Sequence, residues 1–369
     1  MNILFLSYYG KSDTRTRAFI HIMRSLGKTV CVTKRVAEKT PDVDMPDDVA
    51  VEGGAKGIIA FVSASLAAAR AMGTVDVLYI DNRMATIPGR LVARKYKPKL
   101  IIQDAKEFYT LPETHHLVGK IGCLFEDASL RKADVVICAN AYRAQAMQKS
   151  FKLRERPLVF ENVFTLSFDE NFDAQKVQMQ YGHFFDKKLF TFISSSGCTL
   201  ARTTDRLVEA MEPFRDRAQL LLVGRNAPAD EQRIREIVAQ KQLTNVHILG
   251  GVDKNTLKWL VQSSDAGTAI YGKQDSNNLY CASGKIYEFL SEGLPIMASD
   301  NPPLMDFCRQ TKTGCASGEY ADALRDIMDN YEAYKQNVEH YMQGFDMRAA
   351  WREIKQVLRK RLQERGLTA

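Results

Sequence analysis

The sequence predicts an α/β protein made of two Rossmann-like domains facing across a cleft. Three observations carry this prediction. Short apolar runs of strand length alternate with helical segments almost throughout, which argues parallel sheets with helices on both faces. The alternation starts afresh after a polar, irregular segment at 163–188. A chain of 369 residues is about two domains by the usual relation of length to domain size.

The elements follow in order. Strands are expected at Asn2–Ser7, Val30–Thr33, Val77–Ile80, Leu100–Gln103, Val135–Cys138 and Leu158–Phe160. Helices are expected between them, notably Arg15–Leu26, Pro88–Lys95 and Ile121–Lys132. Gly57 to Ala69 is the longest apolar stretch, too short for the roughly 20 residues of a spanning helix, and reads as a packed helix. The second half repeats the pattern. Strands are expected at Phe190–Ser194, Gln219–Val223, Val246–Leu249 and Ala266–Ile270, with helices at Asp205–Met211, Asp230–Lys241 and Thr256–Ser263. Met347, Ala350, Trp351, Ile354, Val357, Leu358 and Leu362 have helical spacing. That final helix packs on a domain in the favoured reading and lies on a membrane surface in the other. The division expected is an acceptor domain at 1–165, with helix 347–369 packing back on it, and a donor domain at 166–346.

Composition narrows the function. Hydrophobic content of 45% and charge of 26% are those of a globular enzyme. A net charge of +7 is too modest for a dedicated nucleic-acid binder, yet suits an acidic substrate or an anionic membrane. The seven cysteines show no CxxC pair and no His/Cys metal spacing, as expected of free thiols in a reducing compartment. The opening MNILFLSYY lacks a basic n-region and a cleavage site, so it reads as a buried strand, not a signal peptide. A cytoplasmic protein, peripheral at the inner membrane face, is the expectation.

The most informative stretch is 278–296. A polar loop runs into Lys285, a short apolar helix carries Glu288 and stops at Gly293, and Pro295 opens a strand at Ile296. A helix N-terminus offers unpaired N–H groups and a positive dipole end, which suits a phosphate. Lys285 adds a cation there. Glu288, one turn on, shares its face and can accept from sugar hydroxyls. Together they fit a nucleotide diphosphate; the competing reading is a capped surface helix with an i,i+3 ion pair.

Several further segments carry a family resemblance in order: Asp76 to Asp81 with Pro88-Gly89, Leu100 to Glu107, Arg131 to Ile137, and Pro157 to Val163. They continue with Phe192–Gly197, Leu222-Val223-Gly224, Val246–Gly250, Ser264 to Gly267 and Gly284 to Pro295. This series resembles a GT-B glycosyltransferase, close to the retaining glycosyltransferase family 4. The last segment resembles that family's K-x-x-E-x-x-x-x-G-x-P donor helix. The resemblance implies transfer of a sugar from a UDP- or GDP-linked donor, without a metal ion or other cofactor. It implies donor contacts from Lys285 and Glu288, and from the backbone near Ile248 for the base. Two departures stand out. Tyr280 occupies the position, eight before Glu288, where the family often has a second glutamate; Asp275, Asn277 and Asn278 are candidate replacements. Lys106 stands where one branch has a histidine, for which His115 or His116 could substitute.

The chemistry needs positive charge where the diphosphate departs. Lys285 is the first candidate, as a catalytic and donor-binding residue. Ser195, Ser196 and Gly197 offer backbone N–H groups, Arg202 and Arg206 offer guanidinium groups, and Gly224 and Arg225 border the same expected pocket. Asn278 is a further donor candidate. On the acceptor side, Asp13, Arg15, Arg17 and Lys106 are candidates, against helix capping by Ser12 or Asp13. Asp104 and Glu107, at a strand carboxyl end, could orient or deprotonate an acceptor hydroxyl. Arg83, Arg90, Arg94, Lys95, Lys97 and Lys99 form a basic segment that suits anionic lipid or a lipid diphosphate. The leading function is a glycosyltransferase of the hexosyltransferase type for cell-surface polysaccharide or glycolipid, with a saccharide or lipid-linked acceptor. The alternatives are a sugar-nucleotide epimerase on the same fold and a non-catalytic partner subunit.

Overall fold

The computed structural model describes residues 1–8, 13–33, 51–52, 57–115, 117–163, 165–185, 189–346 and 348–367. Ser12, His116 and Met347 lie outside the described residues. The chain divides into two compact units, Met1–Asn162 with Asp346–Ala369, and Val163–Phe345. The boundary falls three residues before the 165/166 expected from sequence, because Asn162 still accepts a hydrogen bond from Arg15 of the first unit.

Unit 1 is a seven-stranded parallel sheet. Its strands are β1 (Asn2–Ser7), β2 (Lys28–Thr33), β3 (Val51–Glu52), β4 (Val77–Asp81), β5 (Leu100–Asp104), β6 (Val135–Cys138) and β7 (Leu158–Val159). Its helices are α1 (Thr14–Arg24), α2 (Gly57–Met72), α3 (Thr86–Tyr96), α4 (Leu117–Leu130) and α5 (Ala141–Ser150). The order β3-β2-β1-β4-β5-β6-β7 reverses direction at β1 and β4. In such sheets ligands bind outside the strand carboxyl ends at that switch point. The continuous apolar runs of β1 and β4 are buried, as strands covered on both faces require. Phe61, Ser65, Ala68 and Ala69 make the buried side of α2, confirming a packed helix.

Unit 2 begins with α6 (Ala174–Tyr181), inside the segment expected to be irregular. Asp173 caps it by accepting from Lys176 N, and Val177 is its one buried residue. An eight-residue helix with so little apolar surface leaves almost no periodic signal. The unit continues as β8 (Phe190–Ser194), α7 (Thr204–Ala210), β9 (Ala218–Val223), α8 (Pro228–Gln240), β10 (Val246–Gly250), α9 (Lys254–Gln262) and β11 (Ala266–Ala269). Then come α10 (Ser276–Leu279), α11 (Lys285–Leu290), β12 (Ile296–Ser299), α12 (Pro302–Thr311), β13 (Gly314–Ser317), α13 (Tyr320–Asp329) and α14 (Tyr331–Gln343). The sheet order β10-β9-β8-β11-β12-β13 repeats that of unit 1, with its switch point between β8 and β11. Each unit is therefore Rossmann-like.

The chain returns to unit 1 as α15 (Ala349–Glu364). Ile354, Leu358 and Leu362, four residues apart, join the core cluster that holds Phe5, Phe19 and Ile137. Arg361 pairs with Glu155, and Arg365 with Asp134, at its rim. The apolar stripe of this helix is thus inside the protein, which removes the membrane-surface reading for α15. No helix among the described residues is long and apolar enough to cross a membrane. None of the seven cysteines, all among the described residues, forms a disulfide, and six of them are buried.

Candidate functional site

The donor candidates of unit 2 gather around the end of β8. Lys285 opens α11, and its Nζ donates to both the carbonyl oxygen and Oγ of Ser195, each at 2.8 Å. Ser195 Oγ in turn donates to Glu288 Oε1 at 2.5 Å. Lys285 and Glu288 are therefore joined through the strand end by one hydroxyl. Glu288 is buried, which no capped surface helix would require. Burial depresses the Lys285 ammonium below its ordinary value; Glu288 opposes this and Arg202 adds to it. Two residues before Lys285, the buried Ser283 Oγ has no hydrogen-bond partner among the described residues.

The loop after β8 is built by close backbone approach. Gly197 has φ +65°, and a Cβ on Gly224 would stand 2.8 Å from Gly197 N. Only residues without a side chain allow the β8 and β9 exits to meet there. Gly197 N donates to Val223 O at 2.9 Å and Gly224 N to Gly250 O at 2.7 Å, so three strand exits are tied together. Asn226 closes the arrangement by accepting from Cys198 N at 2.6 Å. Arg202 reaches back to Ser196 Oγ at 3.0 Å, with its guanidinium 4.8 Å from the Tyr271 ring centre.

The structure thus brings Ser196, Gly197, Gly224, Arg202, Lys285 and Glu288 into one neighbourhood. Arg225 is exposed, with its backbone beside Gly251. Ile248 is half-buried in β10, paired with Leu222 next to an irregularity in the ladder. Asn278 is engaged by its own short helix, both its N–H and its side chain donating to Asp275 at 2.8 Å. Arg206 bonds Gly318 O and lies over the Tyr320 ring. Asn226 carries part of the geometry without having been singled out, and Ser195, expected to offer only its backbone N–H, contributes its hydroxyl instead. The Ser-Ser-Ser-Gly run at a strand end is the only sequence signal for Ser195, and Asn226 has none.

Unit 1 holds a second charged cluster at its own switch point. Ser7 Oγ at the end of β1 donates to Asp81 Oδ2 at the end of β4, 2.5 Å away. Thr16 Oγ1 donates to the same oxygen at 2.7 Å. Lys106 Nζ lies 2.7 Å from Asp13 and 3.0 Å from Asp81. Burial works against the Lys106 ammonium, but Asp81, Asp13 and Asp104 outweigh it and raise its pKa. Burial raises the Asp81 carboxyl, with Lys106 opposing and Asp104 adding. Asp13, which also caps α1 by accepting from Thr16 N at 2.7 Å, is the more open member of its pair with Lys106, at 39% side-chain exposure against 11%.

Asp104 and Arg15 occupy different roles from those expected. Asp104 is fully buried, and Arg15 donates to both its oxygens, Nε at 2.8 and 3.1 Å and Nη2 at 2.7 Å. Arg15 also donates to Phe160 O and Asn162 Oδ1. A carboxylate so enclosed is out of reach of an incoming hydroxyl, and its guanidinium partner spends donors on three residues. The pair clamps α1 to β5 and the end of β7. Glu107 lies close enough to act on the Arg83–Glu126 pair, whose Nε–Oε2 distance is 2.6 Å. Burial pushes the Glu126 carboxyl up to about 7, with Arg83 opposing and Glu107 adding. Arg17 is half-buried on α1 and His115 is exposed. Among the described residues no group of three or more His, Cys, Asp and Glu side chains gathers as a metal site would.

No protein-family model matches the chain, and no curated protein matches it. Solved structures do. HepE from Anabaena in complex with UDP is 16% identical, with a TM-score of 0.74 over 98% of this chain and 100% of that one. Sucrose-phosphate synthase from Thermosynechococcus elongatus is 15% identical, with a TM-score of 0.73 over 99% and 100%. A putative UDP-N-acetylglucosamine 2-epimerase from Listeria monocytogenes is 12% identical, with a TM-score of 0.61 over 99% and 98%. Likeness over both whole chains establishes the fold: this protein has the GT-B architecture.

Proposed function

We propose that the protein is a glycosyltransferase that moves a sugar from a UDP- or GDP-linked donor to an acceptor hydroxyl. The observation that carries this reading is the Lys285–Ser195–Glu288 chain of hydrogen bonds at the β8 exit. A half-buried ammonium and a buried carboxylate have been brought to one strand end, where Ser195 holds both and, among the described residues, no direct bond joins them. Charge kept in such surroundings is expensive unless a ligand uses it. The departing diphosphate needs a cation, which Lys285 supplies with Arg202 beside it; the ribose needs an acceptor, which Glu288 supplies. Ser283 Oγ adds a donor for a phosphate oxygen; the N–H of Gly197, expected from sequence to serve there, is instead spent on Val223 O.

The finer reading is a retaining, metal-independent hexosyltransferase of cell-surface polysaccharide or glycolipid synthesis. Unit 1 carries the acceptor, a saccharide or a lipid-linked sugar, beside Asp13 and Lys106. Peripheral attachment at the inner face of a membrane belongs to the same reading. The second reading is sugar-nucleotide epimerisation, favoured by the likeness to the Listeria structure. One experiment separates them. A thermal-shift screen of sugar nucleotides identifies the donor, since a ligand of the folded state raises its melting temperature. Proton NMR of the best ligand, with and without saccharide acceptors, then shows transfer or inversion at C2. A screen with no stabilising nucleotide overturns both readings and leaves the non-catalytic subunit.

A further inference from the structure

Of the ten large apolar side chains exposed among the described residues, five fall between positions 91 and 124. Leu117, Ile121 and Leu124 recur at i, i+4 and i+7 along α4 and are 74%, 43% and 57% exposed. They form one outward stripe, while Cys123, Glu126 and Leu130 face inward. Leu91, 46% exposed, stands on α3, which packs beside α4. Between the helices lies a groove of about 850 Å³ whose apolar walls include Ile87, Leu91 and Phe125. Arg90, Arg94 and Lys132 rim it.

The charge on this face has one sign. Helices α3 and α4 contain only two carboxylates, Glu126 and Asp127. Glu126 is buried against Arg83, and Asp127 is tied to Arg131 one turn on at 2.7 Å. Lys120 stands within the leucine stripe itself and is exposed. Arg90 lies 5.5 Å from the Phe125 ring centre, its stem along the groove.

From this we infer that the α3–α4 face docks on an anionic bilayer surface, the leucines entering the interface and the cations meeting lipid phosphates. Charge complementarity selects this occupant. A second copy, packed face to face by a two-fold axis, would bring each cation against its own kind. A bilayer with anionic head groups receives both the apolar stripe and the cations. The inference rests on the membrane placement in the proposed function and moves the contact. Sequence pointed to the basic segment Arg83–Lys99. Arg83 is instead bound to Glu126, and α2 turns its apolar side into the core, so the docking element is α4 with the distal part of α3.

The test is co-sedimentation of the full-length protein with vesicles, without any sugar donor. Vesicles of phosphatidylcholine alone are compared with vesicles that also contain about one-third phosphatidylglycerol, at low salt and at about 0.5 M salt. Binding is expected only to the anionic vesicles and only at low salt. Leu117→Ser and Leu124→Ser should each lower the partition coefficient about tenfold. Leu124→Trp, in a Trp259→Phe and Trp351→Phe background, should blue-shift on binding. Both leucines are exposed, so the melting temperature should not move. Equal partition to neutral and anionic vesicles, or wild-type binding by the double serine variant, overturns the inference. So does a concentration-dependent dimer that the serine variants abolish in the absence of vesicle binding. Transfer to a soluble saccharide that persists in the serine variants separates failure of docking from failure of the proposed chemistry.

Discussion

Ser195 Oγ donates a hydrogen bond to Glu288 Oε1 at 2.5 Å, across ninety-three positions of chain. The same hydroxyl receives Lys285 Nζ, so the strand end and the first turn of α11 share one polar joint. Removing the cation leaves the leaving-group charge without its nearest compensation. Lys285→Ala is expected to lower turnover about 10²–10³-fold, the magnitude of a lost oxyanion donor, with a normal circular-dichroism spectrum. A well-folded variant with near-normal turnover would refute the role.

Glu288 accepts from Ser195 Oγ, and on the proposed function it would also accept from a ribose hydroxyl of the donor. Glu288→Gln should weaken nucleotide affinity, and Glu288→Ala should do so further. Loss of a hydrogen bond to a charged group is worth roughly 1.5–3 kcal/mol. Calorimetry on both variants measures it, and unchanged affinity in the two would leave Glu288 a structural partner of Ser195 alone.

Asp104 and Arg15 lead to an opposite expectation. Both are buried and each is the other's main partner. Arg15→Ala leaves an uncompensated buried carboxylate and should cost about 3–5 kcal/mol of stability, read by urea unfolding. Asp104→Ala should cost a similar amount. Unaltered unfolding with turnover abolished in Asp104→Ala would return Asp104 to acceptor chemistry.

The contrast between these pairs shows what the chain discloses before folding. The parallel α/β architecture was legible because buried parallel strands are continuous apolar runs, as in β1, β4 and β9, and need no partner to be recognised. The neighbourhood of Lys285 was legible because Ser196, Gly197 and Gly224 lie at strand exits that the fold gathers, and Lys285 and Glu288 share one turn of α11. Asp104 lies at such an exit too, and its position alone suggested chemistry. What position cannot reveal is that Arg15, eighty-nine residues away, reaches it first. Asn226 was invisible for the same reason: its work is a single bond to Cys198 N, and no spacing announces it. The polar helix α6 was missed because one buried valine makes no period.

If Lys285 and Arg202 carry the leaving-group charge, no divalent cation is needed for transfer. Turnover should be unchanged after dialysis against EDTA and unaffected by added magnesium. Activity lost in EDTA and restored by magnesium or manganese would move the charge compensation from these side chains to a metal ion.

The last prediction concerns pH and a carboxyl outside both clusters. Glu126 is buried against Arg83, and burial raises it from an ordinary 4.5 to about 7. A carboxyl whose folded pKa stands above its unfolded value binds its proton more tightly in the folded state. Its contribution to stability is therefore complete below about 4.5 and is lost as pH rises through about 7. The full swing is at most about 3 kcal/mol, at 1.36 kcal/mol for each unit. Asp81, also raised by burial, adds to the wild-type slope, so the informative quantity is the difference between two proteins. Glu126→Gln keeps an oxygen for Arg83 Nε but cannot titrate. Urea unfolding at intervals from pH 4.5 to pH 8 should show the wild type losing stability relative to this variant across that window. Parallel pH profiles for the two proteins would mean that Arg83 holds Glu126 ionised throughout, and that the pair is an ordinary buried salt bridge.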